Sequence, residues 1–318
     1  MKEIIAPVER ELLKKELSPN TFLRYTNNGN NQIYLVDHHN APNVVKEVGR
    51  LRELTFRAAG GGTGMALDLD EKDTNERCYK QLITWNPEDE EIVAGYRLIH
   101  CKQAGIDSHG KINLSTSHLF DFSPKFIEEY LPYTIELGRS FVQPKYQPSL
   151  DNRKGLFSLD NLWDGLGAVV MLHPDVKYLF GKVTMYPHYN REARDLLLYF
   201  LKVYFPDNEG LVNPLPELEL SYETDPSNFQ GIFNGLDYKD GYKLLNSKIR
   251  ALGENIPPLI NTYMNLSPSM KTFGTALNDE FGAVEETGIL ITLSDIYESK
   301  KQRHMETFER DRVYGSRA

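Results

Sequence analysis

Two β-type runs, residues 81–85 (Q-L-I-T-W) and 92–99 (I-V-A-G-Y-R-L-I), flank the turn-rich stretch Asn86-Pro87-Glu88-Asp89-Glu90 and predict a hairpin. A hairpin commits the chain to antiparallel pairing, which excludes both a helix bundle and a purely parallel α/β sheet. Around it, residues 32–36 form another compact β-type run. Val44, Val48, Leu51, Thr55 and Ala58 recur at helical spacing, so 43–58 reads as an amphipathic helix with Pro42 near its first turn. Further strands are expected at 133–142 and 178–186, with two short ones near 272–277 and 288–293. Helices are expected at 123–131, 156–173, 190–205 and 241–252, with another starting at Pro257-Pro258. The fold class is α+β, a mixed, mostly antiparallel central sheet flanked by helices. The expected organisation is an N-terminal helix and loop over 1–30, a core over 31–206, an irregular Pro/Asn/Asp/Gly-rich insertion over 207–240, and a C-terminal part over 241–318. That last part completes the sheet and ends in a charged tail.

Composition narrows the function classes. With 36 Lys+Arg against 45 Asp+Glu among 318 residues, the formal charge is -9. A generic nucleic-acid binder would present a basic surface instead, so no nucleic-acid partner is expected. Cys78 and Cys101 are the two cysteines, too few for a disulfide framework or a cysteine zinc cluster. The N-terminal M-K-E-I-I-A-P-V-E-R-E is too acidic and interrupted for a signal peptide. No apolar run approaches the roughly 18 residues of a membrane span. A cytoplasmic protein is expected, with any membrane contact peripheral.

Several ligand motifs fail on spacing. Neither G-x-G-x-x-G nor G-x-x-x-x-G-K-[ST] fits Gly60–Gly64, and that run leaves a helix instead of entering one. It reads as a flexible connector able to serve as a lid. The D-x-D-x-x-D run at 68–73 has Lys72 and Asp73 where a calcium loop needs an acid or amide and then glycine, which excludes that loop and leaves a solvated acidic turn or a functional role equally open. The histidines show no metal spacing, His38-His39 falls in a polar turn, and there is no G-x-S-x-G elbow.

What remains is charge inside apolar elements. Arg52 lies one turn before Phe56 on the same helical face. Arg97 interrupts A-G-Y-R-L-I, and Glu136 and Arg139 sit inside Y-T-I-E-L-G-R-S-F-V. Buried charges are costly unless paired, so these residues imply an internal ion-pair network with Asp70 and Asp73 as partners. Such a network either fixes the register of the sheet or lines a polar site in a cleft.

The motifs L-R-E-L-T-F (51–56), D-L-D-E-K-D (68–73), I-V-A-G-Y-R-L-I (92–99) and I-E-L-G-R-S-F-V (135–142) occur in the order seen in acyl-homoserine-lactone synthases. They resemble more closely the ornithine-lipid and glycine-lipid N-acyltransferases, also called hemolysin-like proteins, of the GNAT-type superfamily. Leu162-Trp163-x-Gly165-Leu166, residues 180–184 (F-G-K-V-T), Pro257-Pro258-Leu259-Ile260-x-x-Tyr263 and Asn278-Asp279-x-Phe281 extend the resemblance. It implies a GNAT-like fold and transfer of a fatty acyl group, plain or 3-hydroxylated, from an acyl carrier protein thioester to the α-amine of glycine or ornithine. This is the first step of amino-acid lipid synthesis, with no bound cofactor. It also carries functional roles onto Glu136, Arg97 and Arg139 as catalytic residues, and onto Arg52, Phe56, Asp70, Asp73 and Trp163 as substrate-binding residues.

Chemistry assigns parts to them. The amine needs a general base, directly or through water, and Glu136 is expected to be that base or the group that orients the water. The carboxylate needs a guanidinium, from Arg97 or Arg139, the other holding the acidic pair. Arg52 ties its helix to Asp70 or Asp73, and the oxyanion needs backbone donors where a strand bulges. Strand 178–186 is expected to border the thioester. The turn Pro187–Ala193 lacks the glycines that would hold coenzyme A pyrophosphate, which favours acyl carrier protein over acyl-CoA. Helix segment 165–172 offers an acyl slot, unless it is plain core. Lys177, Lys182, Arg191, Arg194 and Lys202 offer a basic patch for the carrier protein, with the basic tail at 300–317 as a second option. The alternatives are an acetyl-CoA-dependent acetyltransferase on a small amine and a non-catalytic lytic protein.

Overall fold

The computed structural model describes residues 1–106, 111–147 and 157–309. In chain order the strands are β1 (Phe22–Tyr25), β2 (Gln32–Val36), β3 (Lys80–Asn86), β4 (Glu91–His100), β5 (Phe120–Phe122), β6 (Thr134–Val142), β7 (Tyr178–Met185), β8 (Val212–Pro214), β9 (Lys271–Asn278) and β10 (Val284–Thr292). The helices are α1 (Arg10–Glu16), α2 (Pro42–Ala58), α3 (Glu71–Thr74), α4 (Ser158–Leu172), α5 (Arg191–Tyr204), α6 (Tyr238–Ala251), α7 (Pro258–Met264) and α8 (Glu298–Lys301). They divide between two compact units that interleave along the chain. The first holds Met1–Ser115, Tyr133–Lys177 and the chain from Tyr297; the second holds Thr116–Pro132 and Tyr178–Ile296.

The first unit is built on the antiparallel order β1-β2-β3-β4-β6. Side chains alternate across a strand, so neighbours Gln81 and Leu82 of β3 serve opposite faces. Helix α2 lies over the Gln81 face, where Arg52 reaches the Gln81 side chain. Helix α4 covers the other face so closely that a Cβ on Gly165 would sit 2.9 Å from a Leu82 methyl and 3.1 Å from Ile33. Ala41 offers no capping side chain to α2. The Glu16 carboxylate, at the end of α1, accepts instead from the backbone N–H groups of Asn43 (3.2 Å) and Val44 (2.9 Å).

In the second unit β10 pairs with both β7 and β9, and α5 follows β7 behind an Asn190 cap that accepts from Ala193 N–H. β5 and β8 form a separate two-stranded ribbon. The core there is aromatic, with Phe120, Phe126, Phe180 and Phe273 buried beside Leu211, Val212 and Leu290.

The α+β class and the antiparallel sheets flanked by helices agree with expectation. Three local readings change. Residues 22–25, expected in a loop, form edge strand β1. The helix expected at 123–131 is wound as a π-turn at Phe126–Tyr130 and runs into a 3-10 turn at Leu131–Tyr133. The segment 207–240 is irregular but packed, burying Leu211, Val212, Phe229 and Phe233 and supplying β8.

Candidate active site

The centre of the first unit is ionic. Arg52, fully buried on α2, donates from Nε to Asp68 Oδ2 (3.1 Å) and from Nη2 to Asp73 Oδ2 (2.9 Å). Its Nη1 reaches Asp73 Oδ1 at 3.2 Å, and the Gln81 amide donates to the same oxygen at 2.9 Å. Arg97, pointing from β4 to the same face, donates to Asp70 at 2.7 Å and to Asp73 at 3.1 Å. The acidic run is therefore no solvated turn. Asp70 caps α3 and Asp73 closes a reciprocal capping box, so one short helix aims both carboxylates at two arginines. Burial alone would raise the Asp73 and Asp68 pKa values. The arginines outweigh it, and both stay below the ordinary carboxylate range, Asp73 through Arg52 and Arg97, and Asp68 through Arg139, Arg52 and Arg97. Burial would likewise lower Arg97, but Asp73 and Asp70 hold it above its usual value.

Strand β6 carries the other half. Gly95 pairs with Phe141 and Arg97 with Gly138, so an extra β6 residue must be absorbed between them. The strand bulges there, and Arg139 takes a left-handed φ of 50°. A non-glycine residue in that conformation stores strain, of the kind that collects at functional sites. The bulge sends the Arg139 guanidinium to Asp68, Nε to Oδ2 at 3.0 Å, and leaves its side chain 16% exposed where Arg52 and Arg97 are sealed at 0% and 2%.

Glu136 lies on the same face as Arg97, because it pairs with Ile99 two residues along β4. It is fully buried and accepts from the Tyr79 hydroxyl and, at 3.2 Å, from Ser115 N–H. The Arg97 guanidinium stacks on the Tyr79 ring, 5.1 Å from its centroid. Burial, then the charge of Glu136 and its hydrogen bond, push the Tyr79 hydroxyl well above its usual pKa.

The structure thus brings together Arg52, Asp70, Asp73, Arg97, Glu136 and Arg139. Phe56 is buried one helical turn beyond Arg52. Trp163 is not brought in, because α4 covers the opposite face of the sheet. Asp68, Tyr79, Gln81 and Ser115 complete the cluster and were not expected from sequence. A partner for each buried arginine was required, and Asp68 stood in the same acidic run.

Other expectations are corrected. Gly60–Gly64 is an ordered closure of α2. The buried Glu53 carboxylate accepts from Thr63 N–H (3.0 Å) and Gly64 N–H (2.8 Å), and Gly60, Gly62 and Gly64 all need positive φ. Of the two readings of helix segment 165–172, residues 165–169 follow the plain core one, with Gly167 against the His304 backbone and Leu166, Ala168 and Val169 buried, while Leu172 is exposed. Most of the expected basic patch is neutralised. Lys182 pairs with Glu286, Arg191 with Glu285 and Glu223, and the buried Arg194 with Asp195, Glu223 and Glu285. Lys177 lies over the Tyr133 ring. In the tail, Arg303 pairs with Asp160, while Arg310, Arg312 and Arg317 lie outside the described residues. The strand that carries Glu136 and the bulge is β6, and it leads to α4 through 143–157. The glycine-free turn at 187–193 follows β7, in the second unit.

Among known proteins, an acetyltransferase (GNAT) domain matches residues 51–151, the span that contains every member of the cluster. The glycine N(alpha)-acyltransferase of Phocaeicola vulgatus is 55% identical over 308 residues, 97% of this chain and 94% of that protein. The enzyme of the same name from Bacteroides thetaiotaomicron is 58% identical over 308 residues, 97% of this chain and 91% of that protein. The chain belongs to their family. It is a GNAT-type acyltransferase, as the resemblance of its motifs implies. Two solved structures of a CoA-dependent acyl-homoserine lactone synthase, BjaI, one with SAM and isopentyl-CoA and one with MTA, are similar over 89% of both chains. Their identities are 12% and 11%, and the TM-score is 0.37 for each. No described helix of this acyltransferase is long and apolar enough to cross a membrane.

Proposed function

We propose that this acyltransferase moves a fatty acyl group from a thioester to the α-amine of glycine, the first step of an amino-acid lipid. The observation that carries the reading is the buried Glu136 beside the strained, bulged Arg139, in a chain 55–58% identical to relatives named for acylating glycine. Glycine has no side chain, so recognition falls on its carboxylate and amine. Arg139 is the member of the arginine set with exposed surface, and a guanidinium suits a carboxylate. Arg52, on Asp68 and Asp73, and Arg97, on Asp70 and Asp73, hold the acidic pair and the α2–α3 connection in place. Glu136 takes the amine proton, directly or through water, and the nitrogen lone pair attacks the thioester carbonyl. The C–N bond forms, the C–S bond breaks, and the thiol leaves carrying a proton. Backbone N–H groups freed by the β6 bulge suit the transient oxyanion.

The donor we favour is acyl carrier protein, with acyl-CoA as the competing thioester; the acceptor that competes with glycine is ornithine. Purified protein is incubated with each donor, plain and 3-hydroxylated, and with glycine, ornithine and serine, and products are read by mass spectrometry. The expected product is N-acylglycine from the carrier-protein thioester, abolished by Glu136→Gln in folded protein. No N-acylglycine with either donor rejects the reading, and product from acyl-CoA alone rejects the carrier-protein donor.

A further inference from the structure

The Tyr79 hydroxyl donates to Glu136 Oε2, the Ser115 hydroxyl reaches Oε1 at 3.5 Å, and the position of the phenol is fixed twice. Ser115 N–H donates to the Tyr79 oxygen at 2.9 Å while also reaching Glu136 Oε2 at 3.2 Å, so one backbone donor closes a triangle with the phenol and the carboxylate. On its face the Tyr79 ring carries Arg97, whose guanidinium is itself locked onto Asp70 and Asp73. The ring is 2% exposed and sits immediately before β3, ahead of Gln81, which bonds Asp73. We propose that Tyr79 is a positioning residue for the base, its hydroxyl holding the Glu136 carboxylate in the orientation that receives the amine proton. The inference rests on the reading of Glu136 as the general base.

The consequence falls on the chemical step. A carboxylate held in one orientation meets the amine proton without first having to be oriented, and losing a hydrogen bond of ordinary strength to a charged group corresponds to about a ten- to hundred-fold loss in kcat.

The other groups around Glu136 keep one charge state across the neutral range. The Cys101 thiol, following β4, is held well above its usual range by burial and by the charge of Glu136. Arg97 stays cationic, and Asp73, beyond it, stays ionised.

The test is the steady-state kinetics of Tyr79→Phe, which keeps the ring under Arg97 and removes only the hydroxyl. Expected is a ten- to hundred-fold loss of kcat, with the KM for glycine within about threefold of wild type and the urea midpoint unchanged. A side chain that merely supports the fold would lower the urea midpoint and leave the kcat of the folded protein at the wild-type value, and that result overturns the proposal. Incorporating 3,5-difluorotyrosine at 79, which retains a hydroxyl donor at nearly the same size, must retain most of the wild-type kcat; this keeps the test decisive should Tyr79→Phe fold poorly. Glu136→Gln separates the two levels. If it is fully active, the base assignment and this inference fall together. If it is inactive while Tyr79→Phe keeps the wild-type kcat, only this inference falls.

Discussion

Arg139 joins conformation to chemistry most directly. Its left-handed φ of 50° is forced by the extra residue that β6 inserts opposite β4, and its guanidinium is directed at the buried Asp68. Removing the guanidinium in two ways separates strain from charge. Arg139→Ala and Arg139→Gly both lose the ion pair with Asp68, but only glycine adopts this conformation freely. The glycine variant is expected to be the more stable by about 1 kcal/mol, the reverse of the usual alanine preference, while both lose acylation at least tenfold. Urea unfolding of the pair checks it; alanine equal to or above glycine would show that the bulge carries no strain. The same residue shows what sequence makes legible. Arg52, Arg97, Glu136 and Arg139 could be picked out because a charge in an apolar run demands a partner. Tyr79, Gln81 and Ser115 could not, because a tyrosine, a glutamine or a serine near a strand is ordinary, and a backbone N–H leaves no mark in a sequence.

Periodic elements were the easiest to read. The α2 pattern and the β3–β4 hairpin span many residues with one consistent repeat, and both were found where expected. β1 escaped because F-L-R-Y is four residues long, sits beside the T-N-N-G-N-N turn, and gains its strand character by pairing with β2. β5 and β8 are three residues each and stabilise one another across a gap of some ninety positions, which no local pattern announces. Helix α4 shows how a glycine reports an element's neighbour. A Cβ on Gly167 would lie 2.2 Å from the His304 carbonyl oxygen, and the atoms in the way are backbone. The same contact is clamped by His304 Nδ1 against Asp164 at 2.7 Å and by Arg24 Nη1 donating to the His304 carbonyl. Gly167→Ala is therefore expected to cost about 1–3 kcal/mol and to loosen residues 298–309 first. Limited proteolysis should cut that segment faster than in wild type, with the β3–β4 hairpin still protected. Wild-type resistance of the segment, with unchanged stability, would mean that the helix can shift without cost.

The whole molecule carries a formal charge of -9, yet its first unit buries cations as carefully as anions. Arg52, with 0% of its side chain exposed, is the point where that balance is most testable, because two sealed aspartates depend on it. Asp68 and Asp73 have pKa values below those of an unfolded chain, near 3.9, so between the two values the unfolded state binds more protons and stability must rise with pH. Their contribution is therefore complete above about pH 5 and disappears as the medium is acidified through pH 4 and below. Replacing Arg52 by Met keeps an unbranched apolar stem and removes the guanidinium and its charge. At pH 7 this should cost about 3–5 kcal/mol, since two carboxylates are left buried with less compensation. Between pH 5 and 3 the variant should lose less than wild type, because aspartates already pushed up by burial have less depression to give back. The slope is reduced but not abolished, since Arg97 still faces Asp73 and Arg139 still faces Asp68. Urea midpoints measured from pH 3 to 7 for both proteins decide it. Converging curves place the stabilising charge balance in the arginine–aspartate cluster, whereas parallel curves would place the acid sensitivity elsewhere in the fold.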